Sequence, residues 1–148
     1  MAEKPMPTID QMLCFAVYSA GHAFTRFYKP RLDGLDLTYP QYLAFLVLWE
    51  RDDISVKALG ERLFLDSGTI TPLIKRLEAR GFVSRNRDVD DERQVRIRLT
   101  EAGRALKKKA QDIPLAVAKG VGGTYEDAET LRLALVSLRE RLESAGER

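Results

Sequence analysis

Between Ser55 and Leu99 the spacing of apolar residues changes period at a single glycine, and this constrains the fold more than any other feature of the chain. Up to Arg80 the intervals are helical. Ser55 caps a short helix through Leu63, and the polar group Asp66-Ser67-Gly68-Thr69 opens a second helix with Ile70, Leu73, Ile74 and Leu77 on one face. Gly81 suits the left-handed position just past a helix end. Beyond it, Phe82-Val83-Ser84-Arg85 and Gln94-Val95-Arg96-Ile97-Arg98-Leu99 alternate apolar and polar residues around the charged turn Asn86 to Arg93, which predicts a two-stranded antiparallel ribbon. A lone ribbon is marginal in water, so it must lean on the preceding helices. Two short helices, a tight turn and a basic hairpin are the parts of a winged helix-turn-helix.

The flanking segments are helical. Ile9, Met12, Leu13, Ala16, Val17, Ala20, Phe24, Phe27 and Leu32 recur at three- and four-residue intervals, predicting one long amphipathic helix from about Thr8 to Leu32, ended by Gly34. Thr38 caps a helix from Tyr39 to Arg51, with Pro40 in its first turn and Gln41 placed to close a capping box. Thr100 caps another through about Lys119, broken or kinked at Pro114. After a hinge at Gly120 to Gly123, Thr124 and Asp127 resemble a further capping box, and Leu131, Leu135, Leu138 and Leu142 make a seven-residue pattern on the last helix. The expected fold is mainly α: a single domain over 1–148, with dimerisation helices at 8–32 and 124–146 and a reading head at 55–99.

A chain of 148 residues suffices for one core. One cysteine excludes an internal disulfide framework and, with one histidine, leaves too few soft ligands for structural zinc; no metal or cofactor is expected. With no apolar run long enough to cross a bilayer and no leader-like N-terminus, the expectation is a soluble cytoplasmic protein without a membrane partner.

The net charge of +2 conceals an asymmetry, because Lys75 to Lys109 holds twelve basic residues against six acids. Such a local excess suits double-stranded DNA, with a solvated charged face as the alternative. On the second short helix Ser67, Gly68, Thr69 and Thr71 are small enough to approach the major-groove floor, Pro72 stiffens the entry, and Lys75 and Arg76 hold phosphates. In the ribbon, Arg85 and Arg87 add positive charge, and Asp91 is placed to orient the Arg93 guanidinium into a narrow minor groove.

Leu59 to Leu63, then Ser67-Gly-Thr-Ile-Thr-Pro-Leu-Ile-Lys-Arg-Leu-Glu-Ala-Arg-Gly, then Asp91-Glu-Arg93 leading to Leu99-Thr100-Glu-Ala-Gly103, resemble the core of the MarR regulator family. The resemblance implies an obligate homodimer with interlocked first and last helices. Two reading helices about a two-fold axis would then face a pseudo-palindromic operator.

Taken alone, Cys14 reads as a small hydrophobe at the edge of the first helix's apolar stripe, with Tyr18 one turn on. However, Leu13-Cys14-Phe15-Ala16-Val17-Tyr18, Phe27-Tyr28-Lys29-Pro30 and Leu37-Thr38-Tyr39-Pro40-Gln41-Tyr42 resemble the organic-hydroperoxide-sensing branch of the family, called OhrR. The resemblance implies that Cys14 is the reactive cysteine and that Tyr28 and Tyr39 of the other subunit are its hydroxyl partners. Two phenols donating to sulfur favour thiolate, the nucleophile toward peroxide. Phe15, Phe24 and Tyr42 nearby would suit an apolar hydroperoxide. Some members of the branch carry a second, resolving cysteine; this chain lacks one and resembles the one-cysteine subtype, which implies either a low-molecular-weight thiol partner or irreversible further oxidation of the sulfur.

Three other readings stand beside this one, of which a non-regulatory DNA-coating protein is disfavoured because the basic charge is confined to one ribbon and helix. A repressor released by a phenolic ligand would leave Cys14 structural. A thiol peroxidase is disfavoured by the absence of a βαβ pattern and by the expected place of Cys14, in the second helical turn. His22 reads as a surface or interface residue and Trp49 as core.

Overall fold

The computed structural model describes residues 1–147, so Arg148, the last residue of the expected domain, lies outside them. The chain divides into two compact units, residues 1–113 and 114 onward.

In the first unit, α1 (Leu13–Asp33) and α2 (Tyr39–Glu50) precede a two-residue strand β1 (Ile54–Ser55), the helix pair α3 (Val56–Leu63) and α4 (Ser67–Ala79), strands β2 (Val83–Arg87) and β3 (Val95–Leu99), and α5 (Glu101–Lys109). The winged helix-turn-helix is therefore present. Strand order is β1-β3-β2, both pairings antiparallel, with Val83 opposite Leu99 and Arg87 opposite Val95. The ribbon leans on the helices as its marginal stability demands: Val83, Ile97 and Leu99 are buried, as are Leu59, Ile70, Ile74 and Leu77 on α3 and α4 and Tyr42, Phe45 and Leu48 on α2. β1 was not foreseen, since two residues are too few to show a period.

The first helix does not begin at Thr8. Thr8 instead forms a capping box with Gln11 that closes a single 3-10 turn over Ile9–Gln11, Met12 is extended, and α1 starts at Leu13. Apolar spacing continues across this break, so periodicity alone does not reveal it. At α2 the Thr38–Gln41 capping box is formed, and Gly81 takes φ 79° after α4.

In the second unit, α6 (Ile113–Val121) begins at the last residue of the first unit and carries Pro114 in its first turn. The break expected at this proline thus falls just ahead of it, between Lys109 and Ile113. Gly122 and Gly123 adopt positive φ, and the Thr124–Asp127 box starts α7 (Tyr125–Gly146). Among the described residues no helix is long and apolar enough to cross a membrane, and no cluster of metal-ligating side chains is found.

Candidate nucleic-acid interface and thiol site

The reading helix α4 is built by burial on one side and capping at its start. Asp66 accepts from the Thr69 amide at 2.9 Å, satisfying a first-turn N–H, while Ile70, Leu73, Ile74 and Leu77 anchor the inner face. The opposite face is left outward. Ser67, Gly68, Thr69, Pro72, Lys75 and Arg76 are exposed, and Thr71 is half-buried beside a cleft of about 380 Å³ between α3, α4 and the wing.

Within the wing the basic residues differ in availability. Arg93 donates from both its backbone N and Nε to Asp91 Oδ1 at 3.1 Å, while its side chain stays 91% exposed, so Asp91 orients it as expected. Arg87 donates to the Glu92 carbonyl at 2.8 Å and is exposed. Arg85 is different: its Nε, Nη2 and backbone N all reach the Glu78 carboxylate at 3.1 Å, and this guanidinium holds Glu78 below the usual carboxylate range. It ties the wing to α4, which leaves it less free for phosphate than its neighbours.

A second network escaped the sequence reading. Arg96 donates from Nε to Asp53 Oδ1 at 2.8 Å and from Nη1 to Asp88 Oδ2 at 3.1 Å, and its Nη2 reaches the Asp53 carbonyl. Arg98 reaches the same Asp53 oxygen at 3.2 Å. Hydrogen bonds from these arginines hold the Asp53 carboxyl below its ordinary range; for Asp88 the amides of Asp90 and Asp91 do so first, and Arg96 second. Arg96 and Arg98 were counted toward the phosphate-binding excess, yet both are paired inside the molecule. The available signal was their shared strand face; Asp53, 43 residues from Arg96, is too remote for any local pattern.

Cys14 is exposed and is the second residue of α1, so it lies in the first turn, not the second. A cysteine at a helix start is a position that thiol peroxidases also use, and what differs from such an enzyme is the element order, which among the described residues contains no βαβ unit. Tyr18 is exposed and packs edge-on to His22, ring centroids 4.4 Å apart. Trp49 is half-buried and donates its indole N–H to the Gly103 carbonyl at 3.0 Å.

Tyr28 on α1 and Tyr39 at the start of α2 come together with ring centroids 4.6 Å apart, and the buried Tyr42 packs on Tyr28 at 5.5 Å. Burial first, then the neighbouring phenols, push Tyr28 up to about 12; burial likewise raises Tyr39 and Tyr42. These hydroxyls are protonated donors at neutral pH. Cys14 and Tyr28, fourteen residues apart on α1, are separated by about 21 Å of helix. Within this chain Cys14 and the tyrosine pair stand apart.

A family model described as transcriptional regulator SarA/Rot matches residues 26–110. The HTH-type transcriptional regulator TtmR of Methylorubrum extorquens is 54% identical over 91% of this chain and 69% of its own. The organic hydroperoxide resistance transcriptional regulator of Bacillus subtilis is 49% identical over 90% of this chain and 91% of its own. This chain belongs to the MarR family of winged-helix transcriptional regulators. Within that family, the structure of reduced AbfR bound to DNA superposes with a TM-score of 0.79 at 32% identity, over 89% of this chain and 90% of that one. The family model spans Tyr28, Tyr39 and the reading head, while Cys14 lies ahead of its first matched residue.

Proposed function

We propose that this regulator is a cytoplasmic homodimeric repressor that releases its operator when an organic hydroperoxide oxidises Cys14. The observation that carries the reading is the pairing of Tyr28 with Tyr39 on one chain while Cys14 stands exposed about 21 Å away along α1, an arrangement that a second chain completes. The likeness to the Bacillus subtilis hydroperoxide resistance regulator supports it.

The thiolate of Cys14 attacks the terminal peroxide oxygen, the O–O bond breaks, and the alkoxide leaves to take a proton, giving a sulfenic acid and an alcohol. The hydroxyls of the partner's Tyr28 and Tyr39 donate to the sulfur before reaction. Neutral sulfenic acid is a weaker acceptor than thiolate, so oxidation loosens that contact and shifts helices at the dimer interface. A low-molecular-weight thiol then condenses with the sulfenic acid to a mixed disulfide and water. One oxidant is consumed per thiol, so the protein responds stoichiometrically and does not turn over as an enzyme.

On DNA, Ser67, Gly68, Thr69 and Thr71 face the major groove, Pro72 stiffens the entry, Lys75, Arg76 and Arg87 hold phosphates, and Arg93 enters the minor groove in the orientation set by Asp91. A hundredfold loss of operator affinity requires about 2.7 kcal/mol of coupling, within reach of one repacked interface.

The test is fluorescence anisotropy on the protein's own promoter fragment, with one equivalent of cumene hydroperoxide, for wild type and Cys14→Ser. Wild type is expected to leave the DNA and the serine variant to stay. Retention of both overturns the sensor reading and points to a phenolic ligand; release of both shows a peroxide effect that bypasses Cys14.

A further inference from the structure

The tip of the wing is held by a continuous relay that starts outside it. Asp53 lies between α2 and β1 with φ 57°, in the left-handed region, and accepts from Arg96 on β3. Arg96 passes across the strand to Asp88, whose side chain is only 15% exposed. The other oxygen of Asp88 accepts from the backbone amides of Asp90 at 2.8 Å and Asp91 at 3.2 Å, which folds the tip turn. The Gln94 amide donates to the Asp91 carbonyl at 2.9 Å and closes that turn, and Asp91 Oδ1 in turn holds Arg93. Each link is a directed hydrogen bond between charged or backbone groups, so the attitude of Arg93 is set, bond by bond, from Asp53.

We infer that Arg96 is a positioning residue for minor-groove reading, clamping Asp53 to Asp88 and thereby fixing the turn from which Asp91 aims Arg93. The inference rests on the proposed entry of Arg93 into the minor groove. A planar guanidinium is required because Nε, Nη1 and Nη2 each serve a different acceptor in the clamp. Lysine, with one nitrogen on a flexible stem, cannot span both carboxylates and the carbonyl. Without the clamp Arg93 keeps its charge and its exposure but loses its fixed direction. The consequence falls on discrimination. A guanidinium held at one depth collides with the guanine 2-amino group on the minor-groove floor, and one that is free to withdraw to the phosphates does not.

The discriminating pair of bases is G·C against inosine·C, which present the same major-groove edge and differ only by that 2-amino group. Base pairs under the wing, located on the protein's own promoter by hydroxyl-radical footprinting, are made G·C or inosine·C, and Kd is measured for wild type, Arg93→Ala, Arg96→Lys and Asp88→Asn. Asparagine at 88 keeps an acceptor for the tip amides and removes the charge that Arg96 grips, so the turn survives while the clamp opens. A base change under α4 serves as the major-groove control.

Wild type is expected to bind inosine·C at least tenfold more tightly than G·C, and all three variants to fall below threefold. Arg96→Lys and Asp88→Asn should still keep the wild-type penalty at the α4 control. A wild-type ratio in both of these variants, with Arg93→Ala levelled, overturns the role of Arg96 and leaves minor-groove reading standing. An unchanged ratio in Arg93→Ala, or no preference in wild type, overturns minor-groove reading and the role of Arg96 with it. Equal loss at the α4 control reduces Arg96 to a general structural residue and also overturns the inference.

Discussion

In the proposed sensing site Tyr28 and Tyr39 contribute two O–H donors held side by side by the packing of their rings. Burial raises the titration of both phenols, to about 12 for Tyr28, which widens the margin by which they stay protonated at neutral pH. A hydrogen bond to a charged acceptor contributes about 1.5–3 kcal/mol, so removing one donor should slow thiol oxidation roughly tenfold to a hundredfold. Tyr28→Phe and Tyr39→Phe are each expected to show that slowing in stopped-flow reaction with cumene hydroperoxide, while the reduced proteins bind DNA within threefold of wild type. Normal oxidation rates in both would remove the tyrosines from the sensing chemistry. The partnership of Asp91 with Arg93 was legible because the two are neighbours in sequence. The Arg96 clamp was not, because its acceptors sit on another element and past a turn.

Elements announced themselves where a cap or a change of period marks them. Thr38, Ser55, Thr100 and Thr124 each accept an amide at the helix start where the sequence places it, and the switch from helix to ribbon falls at Gly81. The start of α1 was misread because Thr8 is also a sound cap, closing a separate 3-10 turn whose apolar residues stay in phase with the helix beyond. Close backbone approaches are equally invisible to pattern. Gly103 shows this: a Cβ there would lie 2.2 Å from the Phe82 carbonyl oxygen and 3.1 Å from Leu99, while its own carbonyl accepts from Trp49. That approach pins the first turn of α5 against the base of the wing, so Gly103→Ala must push backbone aside. It is expected to cost about 1–3 kcal/mol, the range for overpacking. Urea unfolding followed by circular dichroism would report it, and an unshifted midpoint would show that the α5 turn yields freely.

At the scale of the whole molecule, the proposed DNA reading and the proposed thiol chemistry both call for a second copy. Leu13 at 64% exposure and Val17 at 40% line α1, and on α7, taken separately, Leu131 at 58%, Leu135 at 43% and Leu142 at 62% form an exposed leucine stripe. A helix that exposes one continuous apolar edge is a helix awaiting a partner. On the proposed function, a dimer would place two α4 helices on successive major grooves and set the Tyr28–Tyr39 pair of each subunit within reach of the other's Cys14. Losing the dimer should therefore remove both functions together, though neither substituted residue touches DNA or sulfur. The double variant Leu131→Glu/Leu135→Glu buries no new charge within its own chain, so its helical content should hold. Its sedimentation is expected to move from twice the 16.8 kDa chain mass toward the chain mass itself. Operator affinity should fall at least a hundredfold as the second half-site is lost. Oxidation of Cys14 should slow to the rate of the doubly substituted Tyr28→Phe/Tyr39→Phe protein. A monomer that reacts as fast as wild type would mean that Cys14 needs no partner subunit, and the two-chain thiol site would fall while the DNA-binding dimer stood.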